Sequence, residues 1–127
     1  MKKNILFLTL LVTNISLVFA ADTLRIGDLY YKIYTSSVYA EVIAEPGEEE
    51  PRYNSLTEVE IPSSVTCQGT EYPVTTINQY AFRNCTSLVK ITIPTSISSI
   101  GSAVFNKCTS LTTAGFTMFG AQNYYEH

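Results

Sequence analysis

The chain has 127 residues, of which 46% are hydrophobic and 15% are charged, so it has room for one small domain and little else. Its eight basic and 11 acidic residues give a formal charge of −3. This balance argues against nucleic acid and anionic lipid as partners, because both need a basic face. Three cysteines allow at most one disulfide, which excludes a disulfide-stabilised scaffold.

The N-terminal segment, up to Ala20, has the layout of a cleavable secretory signal. Two lysines begin the segment, an apolar stretch runs from Ile5 to Phe19, and small residues stand at Val18 and Ala20. Polar residues interrupt the stretch, which argues against a membrane anchor. We therefore predict export, with cleavage after Ala20 and no membrane span in the mature protein. The mature chain keeps six basic and 11 acidic residues, a net charge of −5.

A repeated pattern dominates the second half of the chain. The residues at 77, 82 and 85–88 recur at 100, 105 and 108–111, so the period is 23. The pattern of residues 56–62 recurs at 88–94, a displacement of one period plus an insertion in the turn-rich segment 66–73. The sequence therefore predicts one full unit, a modified unit before it and a partial unit after it.

Each unit begins with a predicted strand. Side chains alternate in residues 91–93, so Ile91 and Ile93 point to one side and Thr92 to the other. Pro94 has no N–H and ends the strand. A single coil cannot bury its own apolar edge, whereas stacked coils share a continuous core, so the repeat predicts a solenoid.

A turn is predicted in the second half of each unit. Asn78 and Gly101 occupy equivalent places and are residue types that tolerate positive φ. Phe82 and Phe105 follow in what we predict to be single helical turns, with their rings directed inward.

The fixed positions of residues 77–101, among them Cys85-Thr86-Ser87-Leu88 and Ile91-x-Ile93-Pro94, resemble the BspA-like leucine-rich-repeat family of exported bacterial proteins. The resemblance covers residues 56–116. It implies a strand-dominated α/β-type solenoid, a short right-handed coil, and adhesion to host or neighbouring-cell proteins without catalytic residues. It also implies an N-terminal β-hairpin cap with strands at 27–33 and 39–42. We divide the chain into a signal peptide (1–20), a capping hairpin (21–55) and a repeat region with an irregular tail (56–127).

The repeat weakens after Leu111. Ala114 and Phe116 stand in place of two isoleucines, and Thr117 stands in place of proline. Because solenoids need about three units for stability, the sequence predicts either a truncated relative of a longer adhesin or an end that a partner or another copy covers.

Polar side chains are predicted on the outward face of three neighbouring strands. The repeat alignment puts residues 58, 90 and 113 in one row and residues 60, 92 and 115 in the next. Repeat proteins commonly use such rows for contact, although a merely solvated sheet face is an equal alternative for so few strands. The predicted protein-binding residues are Glu58, Glu60, Lys90, Thr92 and Thr113.

No catalytic, cofactor or metal site is predicted. The one histidine is His127, in the tail, so neither a serine nor a cysteine nucleophile has an imidazole base. Glu58 and Glu60 alternate with apolar residues on one strand, where a carboxylate pair is usually solvated. The acidic run of residues 45–51 offers oxygen ligands but lacks the spacing of a calcium loop, so a solvated hairpin tip is the better interpretation.

Cys85 and Cys108 occupy the same place in successive coils. Stacked strands lie about 4.8 Å apart, and a disulfide needs Cα atoms about 4.4–6.8 Å apart, so both a disulfide and a pair of buried thiols fit; the thiols are the preferred interpretation. Cys67, in the insertion, is predicted to be the exposed thiol.

Together these features predict an exported leucine-rich-repeat protein, secreted or held at the cell surface, that mediates protein–protein recognition or adhesion. It is predicted to need no cofactor and to be no enzyme. The alternative is a structural or self-assembling module that associates through its C-terminal end, or a truncated, non-functional relative of a longer adhesin.

Overall fold

The computed structural model describes residues 22–47 and 53–116. The predicted signal peptide, most of the acidic run and the tail after residue 116 lie outside these ranges. The described ranges contain strands and turns but no helix, and so no helix of the length and apolarity needed to cross a membrane. The strands are β1 (Asp22–Ile26), β2 (Leu29–Tyr34), β3 (Tyr39–Ile43), β4 (Glu58–Glu60), β5 (Ser64–Cys67), β6 (Thr70–Ile77), β7 (Lys90–Ile93), β8 (Ser99–Ile100) and β9 (Thr113–Phe116).

Three parallel strands from successive repeat units form one sheet, in the order β9-β7-β4. Lys90 pairs with Glu58 on one side and with Thr113 on the other, which are the partners that the two displacements in the sequence predict. Ile91 and Ile93 are fully buried, whereas Thr92 is half-buried. The register and the alternation therefore confirm the predicted repeat alignment.

A second, mixed sheet joins the N-terminal strands to the repeat region. Strands β1, β2 and β3 form an antiparallel meander, and β3 pairs in parallel with β6. On its edge away from the meander, β6 pairs with β5 in antiparallel and with β8 in parallel orientation. The two predicted hairpin strands are thus present, with Asp22–Ile26 added as a third strand. The capping role of this meander, the handedness of the coil and the boundaries at residues 20 and 55 stay predictions.

The core lies between the two sheets and the turns that join them. Alternate residues of β2 are buried, and they belong to the same apolar cluster as the inward side chains of β3, β6 and β7. Phe82 is fully buried between the rings of Tyr53, at 5.5 Å, and Phe105, at 6.0 Å between centroids. One apolar core therefore runs from the N-terminal meander into the repeat units, as expected where stacked coils share their buried edge.

The helical turns predicted around Phe82 and Phe105 are wrong. Tyr80 and Asn84 have φ values of 61° and 64°, and a right-handed helix does not continue through left-handed residues. The N–H of Phe82 instead donates to the carbonyl of Val104 in the next coil, at 3.1 Å. The equivalent residues of that next coil, Ala103 and Lys107, are also left-handed. The turns thus hydrogen-bond between coils. The prediction of a strand-dominated solenoid is confirmed, whereas the helical part of the predicted α/β type is absent from the described residues.

The prediction that Asn78 and Gly101 adopt positive φ is also wrong, because neither is among the residues with positive φ. Gly101 is needed for a different reason. Its N–H donates to the Ile77 carbonyl at 2.8 Å, which brings the backbone of one coil directly onto the next. A Cβ added there would lie 2.7 Å from the Cα of Gln79 and closer still to the Gln79 nitrogen. Glycine at this position serves the close approach of two coils.

Glu45 and Tyr53 connect the meander to the first repeat unit. The carboxylate of Glu45 accepts a hydrogen bond from the N–H of Tyr53 at 3.1 Å. The Tyr53 hydroxyl donates to the Ile43 carbonyl at 2.7 Å and accepts from the Tyr30 N–H at 2.8 Å. Burial raises the pKa of this hydroxyl above its ordinary value. Glu45 is therefore a structural residue. Pro46 and Gly47 are exposed, and residues 48–51 of the predicted solvated tip lie outside the described residues.

Replacing Tyr53 with phenylalanine is expected to lower the free energy of unfolding by about 1–3 kcal/mol, because the Tyr30 N–H and the Ile43 carbonyl lose their partner. Urea unfolding of the full chain measures this change. Tyr72→Phe is the matched control, because the Tyr72 side chain is buried and its hydroxyl makes no hydrogen bond to the described residues. Equal losses in the two variants would contradict a role for the Tyr53 hydroxyl.

Candidate protein-binding surface

Four of the five predicted binding residues lie on β4 and β7, the two strands whose exposed face is described. Glu58, Glu60 and Lys90 are exposed and Thr92 is half-buried. The register places Glu58 beside Lys90 and Glu60 beside Thr92. The fifth residue, Thr113, pairs with Lys90 through β9, and its backbone alone is described. The fold therefore brings the predicted residues together, whereas their binding role stays a prediction.

These side chains surround a shallow groove of about 280 Å³. Val59 alternates with the two glutamates and is 7% exposed because its side chain points into the core, so charged and polar side chains form the walls of the groove. The groove is lined by Glu58, Val59, Glu60, Lys90 and Thr92. Two carboxylates and one ammonium group on a small sheet give it an acidic character.

A second groove, of about 300 Å³, lies on the other side of β4. Its opposite wall is the turn between β1 and β2, where Gly27 has a φ of 64°. This wall adds the exposed Asp28 carboxylate beside the buried Leu29. The groove is lined by Ile26, Gly27, Asp28, Leu29, Tyr31, Glu58, Val59, Glu60 and Pro62.

Sequence reasoning missed the contribution of the meander to this surface. Asp28 and Glu58 are distant in the chain, and no repeat relates them. The one local signal was Gly27-Asp28, which is typical of a tight turn between strands. A turn motif predicts an exposed carboxylate but not which strand lies beside it.

The stacked cysteines are thiols in contact with each other. Cys85 is buried and Cys108 is half-buried, and no disulfide joins them. The Cys108 thiol donates to the Phe82 carbonyl at 3.0 Å, and its hydrogen bonding with Cys85 lowers the pKa of Cys108. The preferred interpretation of a thiol pair therefore agrees with this structure. Cys67, predicted to be the exposed thiol, is half-buried and packs against the core.

The arrangement provides charge and shape for binding. Glu58 and Glu60 stand on the same exposed face, and no carboxylate, thiol or imidazole cluster that could hold a metal occurs in residues 22–47 and 53–116. His127 lies outside these ranges. The chemistry that the described surface offers is electrostatic and hydrogen-bonding recognition.

Parallel strands that recur once in each repeat unit, joined by stacked turns with Phe82, Cys85 and Leu88 buried inside, define a leucine-rich-repeat protein. The chain belongs to the BspA-type family: the family described as BspA type Leucine rich repeat region (6 copies) matches residues 52–118. Proteins of this family generally act through protein–protein interaction, as non-enzymatic binding modules. The family suggested by the sequence pattern is thus confirmed.

Solved structures of bacterial leucine-rich-repeat proteins share the fold. A leucine-rich repeat protein from Bacteroides capillosus is 31% identical, with a TM-score of 0.63 over 74% of this chain and 64% of its own. A leucine rich cell surface protein from Faecalibacterium prausnitzii is 26% identical, with a TM-score of 0.61 over 76% of this chain and 24% of its own. A leucine-rich repeat protein from Bacteroides ovatus is 27% identical, with a TM-score of 0.60 over 72% of this chain and 22% of its own.

The chain thus spans slightly less than two thirds of the first of these proteins and about a quarter of the other two. No curated protein matches the chain.

Proposed function

We propose that this chain is an exported protein that recognises a host or neighbouring-cell protein through the outward face of β4 and β7. The observation that carries the proposal is the row of exposed Glu58, Glu60 and Lys90, with half-buried Thr92, on a sheet whose other face is buried. The core explains the apolar half of the repeat but does not require charges on the other side. The cell-surface description of the Faecalibacterium prausnitzii protein supports an exported location.

A protein fits this surface better than a small molecule does. Small-molecule sites enclose most of their ligand in a largely apolar cavity. Here both grooves are open, exposed carboxylates stand on their walls, and the two grooves follow both sides of one strand. A surface of this shape suits the polar contacts of a protein interface.

The proposed surface is tested by probing a panel of purified secreted and surface proteins with the full chain. We expect at least one partner whose binding is weakened roughly tenfold by Glu58→Lys or Lys90→Glu, because each reversal places a like charge opposite the partner. Glu71→Lys on the other sheet changes the net charge of the chain as much as Glu58→Lys does and is expected to leave binding unchanged. Circular dichroism confirms that each variant is folded.

Equal loss of binding with Glu71→Lys would show that net charge, rather than this face, controls the interaction. Sedimentation velocity of the same samples separates recognition from self-assembly, the second candidate function. In the described part of the chain, β9 pairs only with β7, so its other edge is available to another strand. Concentration-dependent oligomers, together with no partner in the panel, would favour self-assembly.

Export is tested by expressing the full chain in a bacterial host and determining the N-terminus of the product outside the cytoplasm. We expect a mature protein that begins at Ala21, because Val18 and Ala20 have the small side chains of a cleavage site. Ala20→Arg, with a large charged side chain at this position, is expected to leave the precursor uncut. An intact Met1 on exported wild-type protein would contradict cleavage, and retention in the cytoplasm would contradict export.

A further inference from the structure

The outer edge of β4 has backbone groups that no described residue pairs with. The Thr57 carbonyl accepts from the Lys90 N–H at 3.3 Å, and the Ile61 N–H donates to the Thr92 carbonyl at 3.0 Å. Since successive residues of a strand alternate in direction, residues 57, 59 and 61 bond to β7 and the peptide groups of Glu58 and Glu60 point away from it. Within residues 22–47 and 53–116, no strand pairs with β4 on that side.

The groove of about 300 Å³ lies along this edge. Its far wall, the Gly27–Asp28 turn, does not hydrogen-bond to β4 in the described residues, so the two walls are separated by open space. Sheet edges with free N–H and C=O groups accept an added strand, and main-chain hydrogen bonds then provide the affinity. The geometry of a strand-addition site is therefore present beside the proposed binding face.

The charges around the groove define what such a strand must carry. Glu58 and Glu60 stand on the outward face of β4, and Asp28 stands on the opposite wall. Residues of an added strand that lie directly opposite the glutamates are favourable when they are basic and unfavourable when they are acidic. A second copy that paired β4 with β4 would place glutamates opposite glutamates, so charge disfavours self-pairing here. The inward residues of the added strand would meet the apolar groove floor at Leu29 and Val59.

We infer that this edge of β4 binds an extended segment of a partner protein in which lysine or arginine alternates with apolar residues, by strand addition. The inference rests on the proposed function and deepens it, because it specifies the partner segment. Basic side chains face Glu58, Glu60 and Asp28, apolar side chains face the groove floor, and the peptide backbone pairs with the outward groups of residues 58 and 60. The row at Lys90 and Thr92 then adds contacts beyond the strand.

A fluorescein-labelled heptapeptide of alternating lysine and valine, titrated with the full chain and followed by anisotropy, tests the inference. We expect saturable binding that an alternating glutamate–valine peptide does not show. A lysine–valine peptide that is N-methylated on alternate residues keeps its charge but loses backbone donors, and it is expected to bind at least tenfold more weakly, since main-chain hydrogen bonds supply much of the affinity of strand addition. Equal binding of the methylated peptide would overturn strand addition.

Protein variants separate charge from backbone pairing. Glu58→Gln combined with Glu60→Gln is expected to weaken peptide binding roughly fivefold and to reduce its salt dependence. Glu60→Pro removes an outward N–H without touching the β4–β7 ladder, where an edge proline is tolerated. We expect it to weaken binding further than Glu60→Gln alone. If the proline variant is folded and binds like Glu60→Gln, the inference is wrong.

Amide hydrogen exchange measured by NMR gives a readout that does not depend on variants. The amides of Glu58 and Glu60 are expected to exchange quickly in the free protein and to slow at least tenfold with saturating lysine–valine peptide, because the peptide carbonyls then accept them. The amides of Val59 and Ile61 are expected to be protected throughout. Unchanged exchange at residues 58 and 60 would overturn the inference. A panel partner that depends on Lys90 but not on the β4 edge would leave the proposed function intact.

Discussion

Replacing Gly101 with alanine is expected to lower the free energy of unfolding by about 3 kcal/mol, near the upper end of the usual cost of adding a methyl group to a packed interior. The added Cβ would lie 2.7 Å from the Cα of Gln79 and 2.9 Å from the carbonyl carbon of Asn78. Both atoms belong to backbone, so no side-chain rotation relieves the contact. The coils must separate, which weakens the hydrogen bond from the Gly101 N–H to the Ile77 carbonyl.

Gly27→Ala is the control for this experiment. Gly27 has a φ of 64° and no atom within 4 Å of an added Cβ, so alanine there costs only the strain of a left-handed conformation, about 1 kcal/mol. Urea unfolding of both variants, with the same slope against denaturant, gives the comparison. If the two glycine variants lose the same stability, the close approach of the coils at Gly101 is not what requires glycine.

Phe82→Ala is expected to cost about 4 kcal/mol, whereas Phe105→Ala at the equivalent place in the next coil is expected to cost about half as much. Phe82 is fully buried and contacts the rings of Tyr53 and Phe105, while Phe105 is only half-buried. Removal of the Phe82 ring therefore leaves a cavity between the meander and the repeat units. Removal of the half-buried Phe105 ring takes away the apolar contact on one side of the Phe82 ring and leaves a site open to solvent.

The two phenylalanines form a matched pair, because they occupy the same position of the repeat and are the same residue type. Chemical unfolding, monitored by circular dichroism, measures both losses, and Phe82→Leu tests whether volume or aromaticity matters. An equal loss for the two alanine variants would mean that burial does not distinguish the coils. A loss of about 4 kcal/mol is large against the total stability of about 5–15 kcal/mol that small domains have.

The strand register and the buried face could be predicted from the sequence because both follow from short-range periodicity. The offset between Glu58 and Lys90, and that between Lys90 and Thr113, are the repeat spacings themselves. Alternation within residues 91–93 then decides which side chains enter the core. The outward row of the candidate site follows from the same two patterns, which is why the structure brings those residues together.

The turns were not predictable by the same means. Apolar spacing around Phe82 fits a helical turn as well as it fits an irregular one. Hydrogen bonds from this turn to Val104 and Asn106 in the next coil decide between the two, because they place Tyr80 and Asn84 in left-handed conformations. The local conformational preference of a residue is outweighed when its backbone N–H donates to a carbonyl of the neighbouring coil.

The family, the repeat period, the parallel register and the polar row on β4 and β7 follow from the amino-acid sequence, since each is a regularity along the chain. The folded chain alone reveals why residue 101 is glycine, how Glu45 and Tyr53 attach the meander, and that Asp28 faces the open edge of β4. These features depend on distances between segments that no repeat relates. Such distances arise only when the two sheets pack on a common core.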